Sequence, residues 1–117
     1  MFKTHVKQFV SLRKARPLIA LENLQAIARH FPHSAFRYHL DPSFEPVRSP
    51  DEAANPTIPP PNPTNAAIFK VLQSYNRVGL VRPVDTEHMW NAAMERKTCE
   101  LTILGKHYRD LVARGLI

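Results

Sequence analysis

Tyr75-Asn76-Arg77-Val78-Gly79-Leu80-Val81-Arg82-Pro83-Val84 is the stretch on which the reading of this chain turns. Upstream of it Ile68, Leu72 and Tyr75 recur at helical spacing with Phe69 beside them, and Thr64 or Asn65 offers an N-cap, so a helix is read through about Arg77. Gly79 supplies a residue free to take up left-handed backbone and stop that helix. Leu80 to Val84 is read as extended, because the ring of Pro83 biases Arg82 away from the helical region. Downstream, Asp85 or Thr86 caps a second helix to about Lys97, carrying Met89, Trp90, Ala93 and Met94. Thr98-Cys99-Glu100-Leu101 is short and strand-like, and Thr102 caps a last helix that Gly115 ends, with Leu104, Tyr108, Leu111 and Val112 on one face. Residues 64–117 are therefore expected to form a small three-helix domain with at most a short β element.

Before this block the composition changes twice. Eight of the eleven prolines lie between positions 41 and 63. Proline fixes φ and removes a donor, so Pro59-Pro60-Pro61-Asn62-Pro63 is read as polyproline II and 41–63 as an extended linker. No basic residue stands close to prolines 59–63, which argues against a ligand for SH3 or WW modules. Further upstream, Pro17 precedes a periodic set, Leu18, Leu21, Leu24, Ala28 and Phe31, that Pro32 ends. Ile19, Ala20, Ala26 and Ile27 make this 18–31 helix apolar on more than one side, so it must pack on the C-terminal half or on another protein. Leu18, Leu21, Leu24 and Phe31, with Trp90 and Met94 from the later helix, are the candidate partner-docking residues. The expected fold is mainly α: a basic helical arm over 1–40, a proline-rich linker and the helical domain over 64–117.

Charge is placed as unevenly as proline. The 117 residues carry 16 Lys and Arg against 10 Asp and Glu, and the segment 1–40 has seven bases against the single acid Glu22. Phe2, Val6, Phe9 and Val10 would form one stripe on a helix, with Lys3, Lys7, Arg13 and Lys14 around it. Acid-poor amphipathic segments of this kind look like mitochondrial targeting segments, interfacial helices or RNA-contacting arms. The charges interrupt any apolar run of a secretory signal, and the longest apolar run, about five residues, falls far short of a membrane span. Lys3, Lys7, Arg13, Lys14, Arg16, Arg37, Arg77 and Arg82 are the candidate contacts to RNA or another polyanion.

The residues for catalysis are scattered. His30, His33 and His39 form the only histidine cluster, but Pro32 lies between the first two and no Cys or carboxylate joins them before Asp41. Cys99 and His107 could be written as nucleophile and base, yet nothing nearby in sequence lowers the thiol pKa, and a buried cysteine is the simpler reading. Asp85 with Glu87 and Glu95 with Glu100 read as caps and surface pairs. One cysteine excludes an internal disulfide, and no glycine-rich phosphate loop occurs. The expectation is a non-catalytic protein with neither cofactor nor metal.

The run Tyr75 to Val84, a helix closing through Val78-Gly79-Leu80-Val81 into an extended exit, and the later Leu101-Thr102-Ile103-Leu104-Gly105-Lys106 leading into a helix, together resemble winged-helix domains. In that family such a turn feeds the first wing strand, and the second wing strand runs into the helix start. The resemblance covers roughly residues 64–117, and a helix over 86–97 stands where the family has a short wing. It implies a nucleic-acid-binding module in which Arg77, Arg82, Arg96 and Lys97 contact phosphates. The reading preferred from the residues themselves is a structural or adaptor subunit of a larger protein or ribonucleoprotein assembly, such as a mitochondrial respiratory one. Outside the mitochondrion the expected place is cytoplasmic or nuclear.

Overall fold

The computed structural model describes residues 17–117, so Lys3, Lys7, Arg13, Lys14, Arg16 and the amphipathic stripe they surround lie outside the described residues. The helix expected over 18–31 is shorter and interrupted: α1 spans Leu21–Gln25 and α2 spans Ile27–His30, with a turn at Ala26. Ala20 stands at the N-cap without a side chain that could hold the free N–H groups, so Leu18 to Ala20 do not join the helix. After β1 (Arg37–His39), the Asp41 carboxylate accepts from the Ser43 N–H at 2.7 Å and starts a 3₁₀ turn over Pro42–Phe44. Ser49 and Glu52 then close a reciprocal capping box on α3 (Pro50–Ala54).

The longest helix among the described residues, α4, spans Pro63–Arg77. Its cap is Asn62 rather than Thr64 or Asn65: the Asn62 side chain accepts from the Asn65 N–H at 3.1 Å, and Pro63 occupies the first helical position, where its missing N–H costs nothing. At the other end Gly79 has φ of +81°, the Gly79 N–H donates to Asn76 at 3.1 Å and the Leu80 N–H to Tyr75 at 2.9 Å, the paired bonds of a Schellman cap. The chain leaves into β2 (Val81–Pro83). The second helix of the C-terminal half, α5, is Met89–Met94, much shorter than the expected 86–97. Asp85 has φ of +60° and breaks the run before it, and His88 takes the N-cap position without a side-chain cap. Strand β3 (Thr98–Leu101) follows, and Thr102, accepting from the Gly105 N–H at 3.0 Å, caps α6 (Ile103–Ala113).

The molecule is mainly helical, but among the described residues three strands form one antiparallel sheet in the order β1-β3-β2, more β structure than the short element expected. Arg37 stands opposite Glu100 and His39 opposite Thr98 on one side of β3, while Val81 stands opposite Leu101 and Arg82 opposite Glu100 on the other. Strand β1 thus ties the N-terminal third to the C-terminal end. Leu24, Ile27, Phe31, Leu40 and Phe44 share one apolar core with Phe69, Leu72, Tyr75, Leu80 and Leu101. Helix α6 lies against α1 and α2, where Arg109 donates to the carbonyls of Phe31, at 2.9 Å through Nε, and Pro32.

The proline-rich segment is not an extended spacer. Pro42, Phe44 and Glu45 are buried, and Phe44 meets Phe69 of α4 with ring centroids 6.5 Å apart. The Arg48 guanidinium donates to the carbonyls of Pro42 and Pro59 and, through Nε, to that of Glu45 at 3.2 Å. Asn62 N–H donates to the Ser43 carbonyl at 2.8 Å, and Asn65 Nδ2 to Ser43 Oγ at 2.9 Å. Proline stiffens the chain without dictating that it stay apart; here its polar neighbours fold it back. The divisions drawn at 41 and 63 consequently cut through a single core.

Candidate functional site

The N-terminal helix pair sorts its apolar residues by face. Leu24, Ile27 and Phe31 have no exposed surface, whereas Leu18 is 96% and Leu21 44% exposed. Leu24 and Phe31, expected as docking residues, are therefore core residues, because the C-terminal half supplies the cover that the helix requires. Of the four expected from the N-terminal segment, Leu18 and Leu21 face outward, and in sequence they follow the basic segment that ends at Arg16. On α5, Met94 is half-buried, while Trp90 lies on the surface with its indole N–H donating to the Val47 carbonyl at 3.3 Å. Exposed Val47 adjoins it. Neither Val47 nor exposed Ile103 was singled out in the sequence, since an isolated β-branched residue carries no periodic signal.

Arg37 and Arg82 do come together. They flank Glu100 on the central strand, with Arg37 Nε 3.6 Å and Arg82 Nη2 3.2 Å from the carboxylate, and both arginines are largely exposed. The alternation of the strands requires this: residues paired with Glu100 share its face, while Tyr38, Cys99 and Val81 turn to the other. The shared carboxylate removes much of the positive field that the two arginines would otherwise present. Arg77 is exposed at the end of α4, away from that row in sequence. Arg96 is exposed beyond α5, and Lys97 Nζ donates to the Asp85 carbonyl at 2.6 Å. From residue 17 onward the bases number eleven and the acids ten, so five of the six net positive charges belong to the first sixteen residues.

Beside α1 and α2 an open cleft of about 450 Å³ runs to α4, lined by Glu22, Asn23, Gln25, Arg29 and His30 with Val71 opposite. Burial, followed by the neighbouring Arg29 guanidinium, lowers the pKa of its lining residue His30 from the ordinary value.

For catalysis the geometry offers little that converges. Among the described residues no three or more His, Cys, Asp or Glu side chains gather as a metal-ligand group, so His30, His33 and His39 remain separate. Cys99 is fully buried in β3 and its thiol is pushed up to about 12 by that burial. His107 is exposed on α6 with its ring against Tyr108. A thiol so far from ionising is no nucleophile at neutral pH. No described helix is long and apolar enough to cross a membrane. No protein-family model matches the chain, and neither the curated proteins nor the solved structures contain one with significant similarity to it.

Proposed function

We propose that this protein is a non-catalytic adaptor subunit, attached to a larger protein or ribonucleoprotein assembly through its N-terminal end. The observation that carries this reading is the pair Leu18 and Leu21: Leu18, just before α1, and Leu21, its first residue, are exposed while Leu24 behind them is core, and both follow the basic residues Lys3, Lys7, Arg13, Lys14 and Arg16 in sequence. A nearly neutral folded body with cationic charge confined to one end is suited to tethering, since the charge attracts a partner and the leucines add area that salt does not screen. The acid-poor N-terminus supports a mitochondrial location for that assembly. Affinity purification of the tagged full chain from its source cell tests the reading. Leu18→Ser with Leu21→Ser is expected to stay folded, because exposed substitutions shift stability by about 0.5 kcal/mol or less, yet to lose the co-purifying partner. Recovery of the natural chain alone, free of protein and RNA, overturns it.

A second reading has its own observation. Helix α4 ends in Gly79-Leu80-Val81 and enters β2, which pairs with β3, and β3 runs through Thr102 into α6, the order of elements in the winged-helix resemblance. A nucleic-acid-binding module of that kind would contact phosphate through Arg77, Arg82, Arg96 and Lys97. Its affinity would fall steeply with salt and drop further when these four are replaced, while the adaptor reading places the salt dependence in the first sixteen residues.

A further inference from the structure

His30 is the last residue of α2, and its half-buried ring meets Tyr38 of β1 and Tyr75 of α4, each with centroids 6.3 Å apart and planes tilted by 64° and 62°. Tyr75 is itself fully buried, and its hydroxyl donates to the Asn23 carbonyl on α1. One tyrosine of α4 therefore holds both members of the helix pair, α1 through its hydroxyl and α2 through the His30 ring. The third side of the imidazole opens on the cleft.

The groups facing this ring do not welcome a second positive charge. Arg29 precedes it on the same helix, and Tyr38 and Tyr75 are phenols whose pKa values burial raises, so they stay neutral. Val71 brings only an apolar wall, and Glu22 is the one carboxylate among the residues lining the cleft.

We infer that His30 is a proton-operated latch: neutral, it wedges between Tyr38 and Tyr75 and closes α1 and α2 on the body; protonated, it withdraws through the cleft to solvent and loosens the pair. This goes beyond the attachment proposed above and does not depend on it. Because the folded pKa is lowered, the latch carries no penalty above the ordinary histidine value of about 6.5, the penalty grows as pH falls through that value, and it saturates below the folded pKa. Each unit separating folded and unfolded pKa raises the opening constant by up to about tenfold.

The test uses the full chain in solution. In an NMR titration the His30 ring is expected to titrate below the ordinary histidine value of about 6.5, as burial and Arg29 require. Amide exchange corrected for intrinsic rate is read at Leu24, Ala26, His30 and Phe31, whose N–H groups are bonded within the helix pair, and at Cys99 and Leu101 in β3. Between about pH 7.5 and 5, protection in α1 and α2 is expected to fall at least about threefold more than in β3. His30→Phe, which fills the wedge without a titrating group, is expected to abolish that difference. Titration of His30 at or above the ordinary histidine value of about 6.5, or equal loss of protection in both regions, overturns the latch. So does a His30→Phe protein that keeps the difference; should that variant not fold, the titration and exchange of the natural chain decide.

Discussion

At Gly105 a β-carbon would stand 1.9 Å from the Leu80 carbonyl oxygen and 3.1 Å from Leu101 Cδ2. The first turn of α6 is pressed onto the exit from α4 there, held by the Thr102 N–H donating to Leu80 at 3.0 Å and the Thr102 hydroxyl to Gly79 at 2.6 Å. Since the obstacle is backbone, Gly105→Ala is expected to cost about 2–3 kcal/mol, read as a lowered urea midpoint. Arg96 is the opposite case. At φ of +57° it occupies the left-handed position that ends α5, with its N–H donating to Ala93 at 3.2 Å and that of Lys97 to Ala92 at 2.7 Å. Glycine takes that backbone without strain, so Arg96→Gly is expected to raise stability by about 0.5–1 kcal/mol in the same measurement. The left-handed stop at Gly79 was legible in the sequence because glycine at a helix end is a local signal. The same geometry at Arg96 was not, because there the surrounding chain imposes it on a residue that does not favour it.

The segment 41–63 shows how far composition carries an element. Its prolines announce a stiff chain, and a capping box at Ser49 and Glu52 gives it a turn of helix, but its path is set by Arg48. Arg48→Ala removes the donor to the Glu45 and Pro59 carbonyls, leaves that of Pro42 with only the Glu45 N–H, and is expected to cost about 2–3 kcal/mol. Limited proteolysis is then expected to cut between Val47 and Pro61 well before α4 is attacked, and not to do so in the natural chain. Strand β1 was illegible for a related reason. Three residues, Arg37-Tyr38-His39, are too few to display a period, and their partner strand begins only at Thr98. Helices α4 and α6, long enough to repeat an apolar stripe, were read to within two residues at their C-terminal ends.

For the whole molecule the shared core leads to the expectation that global unfolding is cooperative from α1 to α6. Phe31, fully buried with its ring centroid 6.1 Å from that of Phe36 and 6.2 Å from that of Tyr38, links the helix pair to the sheet. Phe31→Ala is expected to cost about 3–5 kcal/mol. Loss of helix by circular dichroism and the change in Trp90 fluorescence should still coincide, although Trp90 lies in the C-terminal half; separate transitions would show two folding units. Residues 64–117 expressed alone should not fold, because Leu24, Ile27, Phe31, Leu40 and Phe44 would be missing from their core. The sequence by itself determined the mainly helical class, the Thr102 cap, the glycine stops at Gly79 and Gly115, and the concentration of positive charge at the N-terminus, since each follows from residues a few positions apart. Only the tertiary structure decided that Leu24 and Phe31 are interior while Leu18 and Leu21 are not, that Arg37 and Arg82 share Glu100, and that the proline-rich segment belongs to the body. Those outcomes rest on contacts between residues tens of positions apart, where burial of apolar surface against a distant element outweighs any local preference.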